Sequence, residues 1–113
     1  MVMIVLQTVP EVEAPPEVDV DFVVMPEEEL EKPFRVIIHN DNITPYEFVI
    51  AVLCQIFELS FQKAQSITHE AHTSGLALVT VLPYKEANER VYNAQSAARD
   101  FGYPLSFTLE PDD

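Results

Sequence analysis

The chain divides into an acidic, proline-rich first third and a more apolar remainder, and this division limits what can fold. Residues 1–33 hold nine acidic residues, one basic residue and five of the nine prolines, in a chain of 113 residues. Prolines remove backbone donors and like charges repel, so we expect a mobile N-terminal extension there. Residues 34–113 hold ten acidic and five basic residues. We predict a single folded domain over 34–113, with its boundary near Lys32 and Pro33.

The predicted extension is not purely polar. Its apolar residues alternate loosely with polar ones at Val2, Ile4, Leu6, Val18, Val20, Phe22 and Val23. Two interpretations stay open: a disordered tail with apolar spots, or an edge strand or partner-engaging peptide. The apolar run 1–6 is too short to cross a bilayer and lacks the basic start of a signal peptide.

Charge and cysteine content exclude several classes of function. The formal net charge is −13, whereas nucleic acids and anionic membranes are bound by clustered Lys and Arg. The single cysteine excludes an internal disulfide and a zinc site built on cysteines. We therefore expect a cytoplasmic domain whose partners include neither nucleic acid nor membrane.

The strand signals lie at three places in residues 34–113. A β-branched run over 34–39, an apolar run over 76–82 and an alternating segment over 104–109 each predict a strand. With the helices between them, the predicted order is β-α-α-β-α-β. This order is typical of a small α+β domain, with a three-stranded, mostly antiparallel sheet and helices packed on one face.

The helix signals are equally local. Thr44 is predicted as an N-cap, with Pro45 in the first helical position and Glu47 closing a capping box. Ser60 is predicted to cap a second helix that Gly75 ends in a left-handed conformation. A third helix is predicted with one buried face and with Gly102 just past its end; that face comprises Ala87, Val91, Ala94 and Ala98.

Polar residues gather where the first strand meets the first helix. Asn40 and Asn42 supply carbonyl acceptors and Asp41 supplies negative charge, which suits a small cation such as an amine. A simple turn followed by a helix cap explains the same residues. A zinc site from His39, Asp41, His69 and His72, or a nucleophile at Cys54, lacks a supporting spacing, and Cys54 is predicted as a small buried hydrophobe.

Three motifs follow one another along the chain: residues 35–49, RVIIHNDNITPYEFV, residues 71–75 and residues 104–110. In this order they resemble the Clp protease adaptor family, ClpS, whose first motif is a strand followed by Asn-Asp-Asp, one residue and Thr-Pro-Met-Glu-Phe-Val. Residues 71–75, AHTSG, resemble its Val-His-x-x-Gly, and residues 104–110 resemble its last strand. The resemblance implies an adaptor, not an enzyme. Such an adaptor binds proteins with a destabilising first residue, usually Phe, Tyr, Trp or Leu, and delivers them to a AAA+ Clp unfoldase.

The resemblance also implies roles for individual residues and requires no cofactor or metal. The α-amino group of the ligand would be bound by Asn40, Asp41, Asn42 and His72. The hydrophobic pocket would comprise Thr44, Tyr46, Val49, Thr68, Ala71 and Leu105. The N-domain of the unfoldase would contact Lys85 and Arg90.

Several of these positions depart from the family pattern. Asn42 replaces an Asp, which predicts weaker binding of the amine. Thr68 and Ala71 replace larger residues, which predicts a roomier pocket that admits Ile or Val, unless Tyr46 refills the space. Lys85 replaces an acidic residue, which leaves open which Clp unfoldase is the partner.

Two other classes of function remain alternatives to the adaptor. The first is an interaction domain of the same topology, such as the C-terminal domain of the ribosomal stalk protein, or an unfoldase modulator without substrate binding. The second is a small enzyme or metalloprotein. Binding of a peptide with a free N-terminal Phe separates the adaptor from the first class, and metal content tests the second.

Overall fold

The computed structural model describes residues 25–113, and their order of elements contains the predicted one. A single helical turn precedes the first predicted strand, so the observed order is α-β-α-α-β-α-β. The elements are α1 (Glu27–Leu30), β1 (Pro33–His39), α2 (Tyr46–Gln55), α3 (Phe61–Ser74), β2 (Leu76–Pro83), α4 (Tyr84–Asp100) and β3 (Ser106–Pro111). No helix of residues 25–113 combines the length and the apolar character that crossing a membrane requires.

The three strands form one antiparallel sheet in the order β2-β1-β3. The central strand β1 pairs His39 with Leu76 on one side and with Ser106 on the other. The register of β1 and β2 shifts between Val36 and Ile37, a β-bulge that inserts one extra residue into β2. The predicted sheet is therefore confirmed. The strand order further shows that β1 is the central strand and is hydrogen-bonded along both edges.

One face of the sheet carries the helices. The strands contribute buried residues to the same apolar cluster as α2, α3 and α4, while Leu76 and Leu78 on the opposite face are about half exposed. The predicted buried face of α4 is confirmed, since Ala87, Ala94 and Ala98 are completely inaccessible and Val91 nearly so. Small alanine side chains let α4 approach the sheet closely.

The start of α2 differs from its prediction. The helix begins at Tyr46, and Pro45 occupies the N-cap position with Phe48 N and Val49 N donating to its carbonyl. Thr44 is not the cap: among residues 25–113, no side chain accepts a hydrogen bond from the first turn of α2, and the Thr44 hydroxyl donates to Asp41 Oδ2. Local sequence pattern identified the helix but not the partner of the Thr44 hydroxyl.

The ends of α3 match their predictions. Ser60 Oγ accepts from Lys63 N at 3.1 Å, which satisfies one backbone donor of the first turn. Gly75 ends the helix at φ 97°, a left-handed conformation that most other residues disfavour. Gly102 likewise follows α4 at φ 79°.

The two ends of the described chain depart from the predicted boundaries. Strand β3 begins at Ser106 rather than Pro104, because pairing with β1 starts opposite His39. In the segment predicted as a mobile extension, residues 25–33 hold α1 and the first residue of β1. Most of that prediction, including the alternating apolar residues, falls on residues 1–24, which lie outside the described residues.

Candidate functional site

A cavity of about 200 Å³ opens where the end of β1 meets the start of α2 and the last turns of α3. The structure brings together around it all ten residues for which the sequence predicted a role in ligand binding. These are Asn40, Asp41, Asn42, Thr44, Tyr46, Val49, Thr68, Ala71, His72 and Leu105. Segments far apart in sequence therefore converge on one site, while the role of each residue in binding stays a prediction.

The turn after β1 is held by the carboxylate of Asp41. Its Oδ1 accepts from Ile43 N at 2.8 Å and from Thr44 N at 2.7 Å, and its Oδ2 accepts from Thr44 Oγ1 at 2.9 Å. Both oxygens are thus engaged by the turn itself. Asp41 fixes the path of the chain from strand to helix and brings a negative charge to the cavity wall.

The ionisation of Asp41 reflects these contacts. Partial burial acts to raise the pKa of the Asp41 carboxyl, but the backbone donors of Thr44 and Ile43 and the hydroxyl of Thr44 outweigh it. The resulting pKa lies below the ordinary value of 3.8. Asp41 is therefore a carboxylate at neutral pH, with its charge favoured by three donors.

Asn40, Asn42 and His72 form the exposed polar rim of the cavity. Asn40 N donates to Gly75 O at 2.9 Å, which ties the end of β1 to the end of α3 and brings Asn40 close to the turn after His72. Within residues 25–113, the side chains of these three residues make no hydrogen bond to protein atoms. Their amide oxygens and imidazole nitrogen are available as acceptors.

Tyr46 stands beside His72 at the same rim. The two rings are nearly perpendicular, with centroids 6.1 Å apart and an interplanar angle of 82°. This edge-on arrangement is one that aromatic pairs prefer. The sequence predicted both residues at the site but not their contact, which depends on how α2 packs against α3.

The inner wall of the cavity is apolar. Val49, Ala71 and Leu105 are each at least nine-tenths buried, and so is Thr68. Ile38 and His39 also line the cavity and were missed by the sequence analysis, although both lie at the end of the strand that leads into the site. The His39 Nε2 atom lies 2.8 Å from Thr108 Oγ1, so its imidazole is engaged by the neighbouring strand.

This arrangement suits a ligand with an ammonium group beside an apolar side chain. Acceptors of the polar rim face the same cavity as the apolar wall, so both parts of such a ligand are matched. A cavity of about 150 Å³ holds a benzene ring, so the volume here suffices for a ring-bearing side chain. Within residues 25–113, no group of three or more His, Cys, Asp or Glu residues is arranged to hold a metal ion.

The residues predicted to contact an unfoldase lie along a different concavity, the acidic groove. It lies between α1, α4 and the connection from α2 to α3, and is lined by Glu27, Leu30, Glu31, Glu58, Pro83, Lys85, Glu86, Glu89, Arg90 and Asn93. Lys85 is exposed there. The side chain of Arg90, in contrast, is only 20% exposed.

Arg90 is held by its own chain. One guanidinium nitrogen donates to Ile56 O at 2.9 Å, and the other donates to Glu86 Oε2 at 2.7 Å and lies 3.7 Å from Glu58 Oε1. Ile56 ends α2, and Glu58 adopts a left-handed conformation at φ 59°. Arg90 therefore fastens α4 to the end of α2, a structural role that the sequence analysis missed. Its contact with an unfoldase stays a prediction.

Comparison with known proteins gives one consistent family. The model of the ATP-dependent Clp protease adaptor protein ClpS matches residues 29–108. The adapter protein ClpS 2 of Mesorhizobium japonicum is 40% identical over 90 residues, which cover 80% of this chain and 89% of that protein. The adapter protein ClpS of Myxococcus xanthus is 34% identical over 90 residues, which cover 78% and 84%.

A solved structure supports the same assignment. The structure of Agrobacterium tumefaciens ClpS2 bound to L-phenylalaninamide superimposes with a TM-score of 0.69 at 34% identity, over 73% of this chain and 99% of that one. The α+β fold, the order of the motifs and the extent of these matches agree with one another. The chain belongs to the ATP-dependent Clp protease adaptor family, ClpS.

Proposed function

We propose that this adaptor binds proteins through a free N-terminal α-amino group and a bulky hydrophobic first side chain, and delivers them to a Clp-type AAA+ unfoldase. In this proposal, Asn40, Asn42 and His72 accept hydrogen bonds from the ammonium group. Asp41 holds the turn and adds negative charge. The first side chain enters the part of the cavity lined by Thr44, Tyr46, Val49, Thr68, Ala71 and Leu105.

The observation that carries the proposal is the meeting of the polar rim and the apolar wall in one cavity. Side-chain acceptors that residues 25–113 leave unpaired at the rim would cost little while solvated and would be paired by a ligand ammonium. The ligand named for the Agrobacterium relative, L-phenylalaninamide, has a free α-amino group beside a benzyl side chain. The same two chemical features are what the cavity of this chain matches.

The test is fluorescence anisotropy with peptides that differ only at the N-terminus: Phe, Leu and acetyl-Phe. Acetylation removes the positive charge and should abolish binding. His72→Ala should weaken binding of the Phe peptide by roughly tenfold or more, which corresponds to one hydrogen bond to a charged group. His69→Ala is the matched control, because His69 is exposed on the same helix and does not line the cavity.

Two results would contradict this proposal. Equal binding of the Phe and acetyl-Phe peptides would show that the ammonium is not recognised. Absence of binding to every free N-terminus would leave the chain as a family member without substrate binding, such as a modulator of the unfoldase.

Delivery to an unfoldase is proposed to use the side of the protein that carries Lys85. Exposure of Lys85 at the start of α4, beside the acidic groove, supports this assignment. Lys85→Glu should weaken capture of the N-domain of a Clp unfoldase on a purified-component pull-down, while Lys63→Glu, the same change at an exposed position on α3, should not. Equal capture of the N-domain by both variants would show that the unfoldase docks on another surface of the protein.

The proposed role is binding and delivery in the cytoplasm rather than catalysis. The only cysteine, Cys54, is half-buried on α2 and packs against the core, which supports its interpretation as a packing residue. Degradation assays with a fluorescent reporter that begins with Phe test delivery directly. The rate should depend on unfoldase, peptidase and ATP together, with the adaptor alone leaving the reporter intact.

A further inference from the structure

Thr68 differs from the other residues of the inner cavity wall because it is polar. Among residues 25–113 it is the polar side chain that is buried, with 4% relative exposure. Its neighbours along the wall, Val49, Ala71 and Leu105, are apolar and similarly buried. A hydroxyl group therefore lies within an otherwise apolar surface that a ligand side chain would contact.

The hydrogen bonding of Thr68 is one-sided. Its hydroxyl donates to Ala64 O at 2.7 Å, one turn earlier in α3, which uses its only proton. A hydroxyl oxygen also has two lone pairs, and within residues 25–113 no donor pairs with Thr68 Oγ1. The orientation of the proton leaves this oxygen as an acceptor for a donor that enters the cavity.

The position of Thr68 relative to the polar rim defines the ligand it suits. Thr68 and His72 are four residues apart on α3, so they lie on the same side of the helix, separated by about 6 Å along its axis. His72 is exposed and Thr68 is buried, so this separation runs from the mouth of the cavity to its interior. A ligand with an ammonium at one end of a ring and a donor at the other matches both residues.

We propose that Thr68 Oγ1 accepts a hydrogen bond from the phenol of an N-terminal tyrosine, so that this adaptor prefers Tyr to apolar first residues of the same size. The inference rests on the proposed function, because it needs the ammonium at the polar rim. An apolar ring beside Thr68 leaves the Oγ1 acceptor unpaired, whereas the hydroxyl of a tyrosine ring donates to it. The gain of one hydrogen bond between neutral groups predicts roughly a three- to tenfold preference.

The experiment compares two ligands of nearly equal size, peptides that begin with Tyr and with 4-methylphenylalanine, by fluorescence anisotropy. For the wild-type protein we expect Tyr to bind roughly three- to tenfold more tightly. Thr68→Val keeps the shape of the side chain but removes the acceptor, so the preference should disappear. Thr68→Ser keeps the hydroxyl, so the preference should persist.

The outcomes separate failure of this inference from failure of the proposed function. Binding of both peptides with equal affinity, or tighter binding of the 4-methyl ligand, overturns the role of Thr68 and leaves the proposed function intact. A preference for Tyr that is unchanged in Thr68→Val also overturns it, since another group would supply the acceptor. Absence of binding to any free N-terminus overturns both. If Thr68→Val fails to fold, absence of a Tyr preference in the wild-type protein still overturns the role of Thr68.

Discussion

The polar rim and the acidic groove both contain polar side chains, but these differ in whether they make hydrogen bonds within the protein. At the rim, the side chains of Asn40, Asn42 and His72 make no hydrogen bond to the part of the chain that the structure describes. In the groove, the guanidinium of Arg90 is shared among Ile56 O, Glu86 and Glu58. Within residues 25–113, the first region leaves these polar side chains without hydrogen-bond partners, whereas the second uses Arg90 to fasten α4 to the end of α2.

Residue type and position in a motif do not by themselves distinguish a side chain held by its own chain from one whose polar atoms are accessible. Arg90 and His72 were both predicted to bind partners. The contacts of Arg90 are internal, and a charged donor with internal acceptors contributes to stability first. Within residues 25–113, the His72 ring pairs with Tyr46 and its nitrogens make no hydrogen bond, so these polar atoms remain accessible. Substitution of Arg90 in the groove should therefore lower stability, whereas substitutions at the rim should alter ligand binding.

The largest effect should come from Arg90. Arg90→Ala removes the guanidinium bond to Ile56 O and leaves the end of α2 without it, so we expect the free energy of unfolding to fall by about 2 kcal/mol. Urea denaturation measures the change. Arg99→Ala is the control, because Arg99 is an exposed arginine on the same helix and should change stability by less than about 0.5 kcal/mol. If Arg90→Ala lost unfoldase binding without losing stability, Arg90 would be a binding residue and not a structural one.

The next largest effect should come from a change of side-chain volume in the inner wall of the cavity, which should alter the binding of peptides. We expect the wild-type protein to bind a peptide that begins with Ile, because Thr68 and Ala71 leave room beside α3. Thr68→Met adds volume to the wall and should weaken binding of that peptide by roughly tenfold. Equal exclusion of Ile by both proteins would mean that Tyr46 already fills the space.

A smaller effect should follow from a carboxylate added to the polar rim. Asp41 is engaged by Ile43 and Thr44, so Asn42→Asp would introduce a carboxylate that the turn does not already use. We expect binding of a Phe peptide to tighten by roughly three- to tenfold at low salt and by less at high salt. The matched control, Asn88→Asp, makes the same charge change at an exposed position on α4. Unchanged affinity in Asn42→Asp would contradict the view that the rim lacks charge.

The smallest effect concerns pH. The folded-state pKa of Asp41 is lowered, so its contribution to stability is complete above the ordinary value of 3.8 and is lost as pH falls through the folded value. Urea denaturation between about pH 2 and pH 6 should show a steeper loss of stability in the wild-type protein than in Asp41→Asn. Parallel pH profiles for the two proteins would show that the turn does not depend on this charge.

Much of the fold is predictable because the signals are local. Ser60 caps α3 through a bond to a residue three positions away, and Gly75 ends it with a backbone conformation of its own. The spacing of small apolar residues in α4 marks the face that meets the sheet. Such features need only the residues next to them, so the sequence predicts them without knowledge of the rest of the chain.

The start of α2 shows where local signals compete. Thr44 followed by Pro45 and Glu47 has the pattern of a capping box, and a helix does begin there. The carboxylate of Asp41 accepts from the Thr44 hydroxyl and from the Thr44 and Ile43 backbone donors, so Thr44 is held in the turn and Pro45 takes the N-cap position. A charged acceptor shared by three donors outweighs one neutral cap bond.

The sequence alone predicts the α+β fold, the two ends of α3 at Ser60 and Gly75, and ten of the twelve residues that line the cavity. Three features appear only in the folded chain: the central position of β1, the edge-on pair of Tyr46 and His72, and the bonds from Arg90 to Ile56 and Glu86. The difference lies in the sequence separation of the residues that interact. A cap or a turn is set by neighbours along the chain. Arg90 and Ile56 are separated by 34 residues, so their contact forms only once tertiary packing has brought α4 and the end of α2 together.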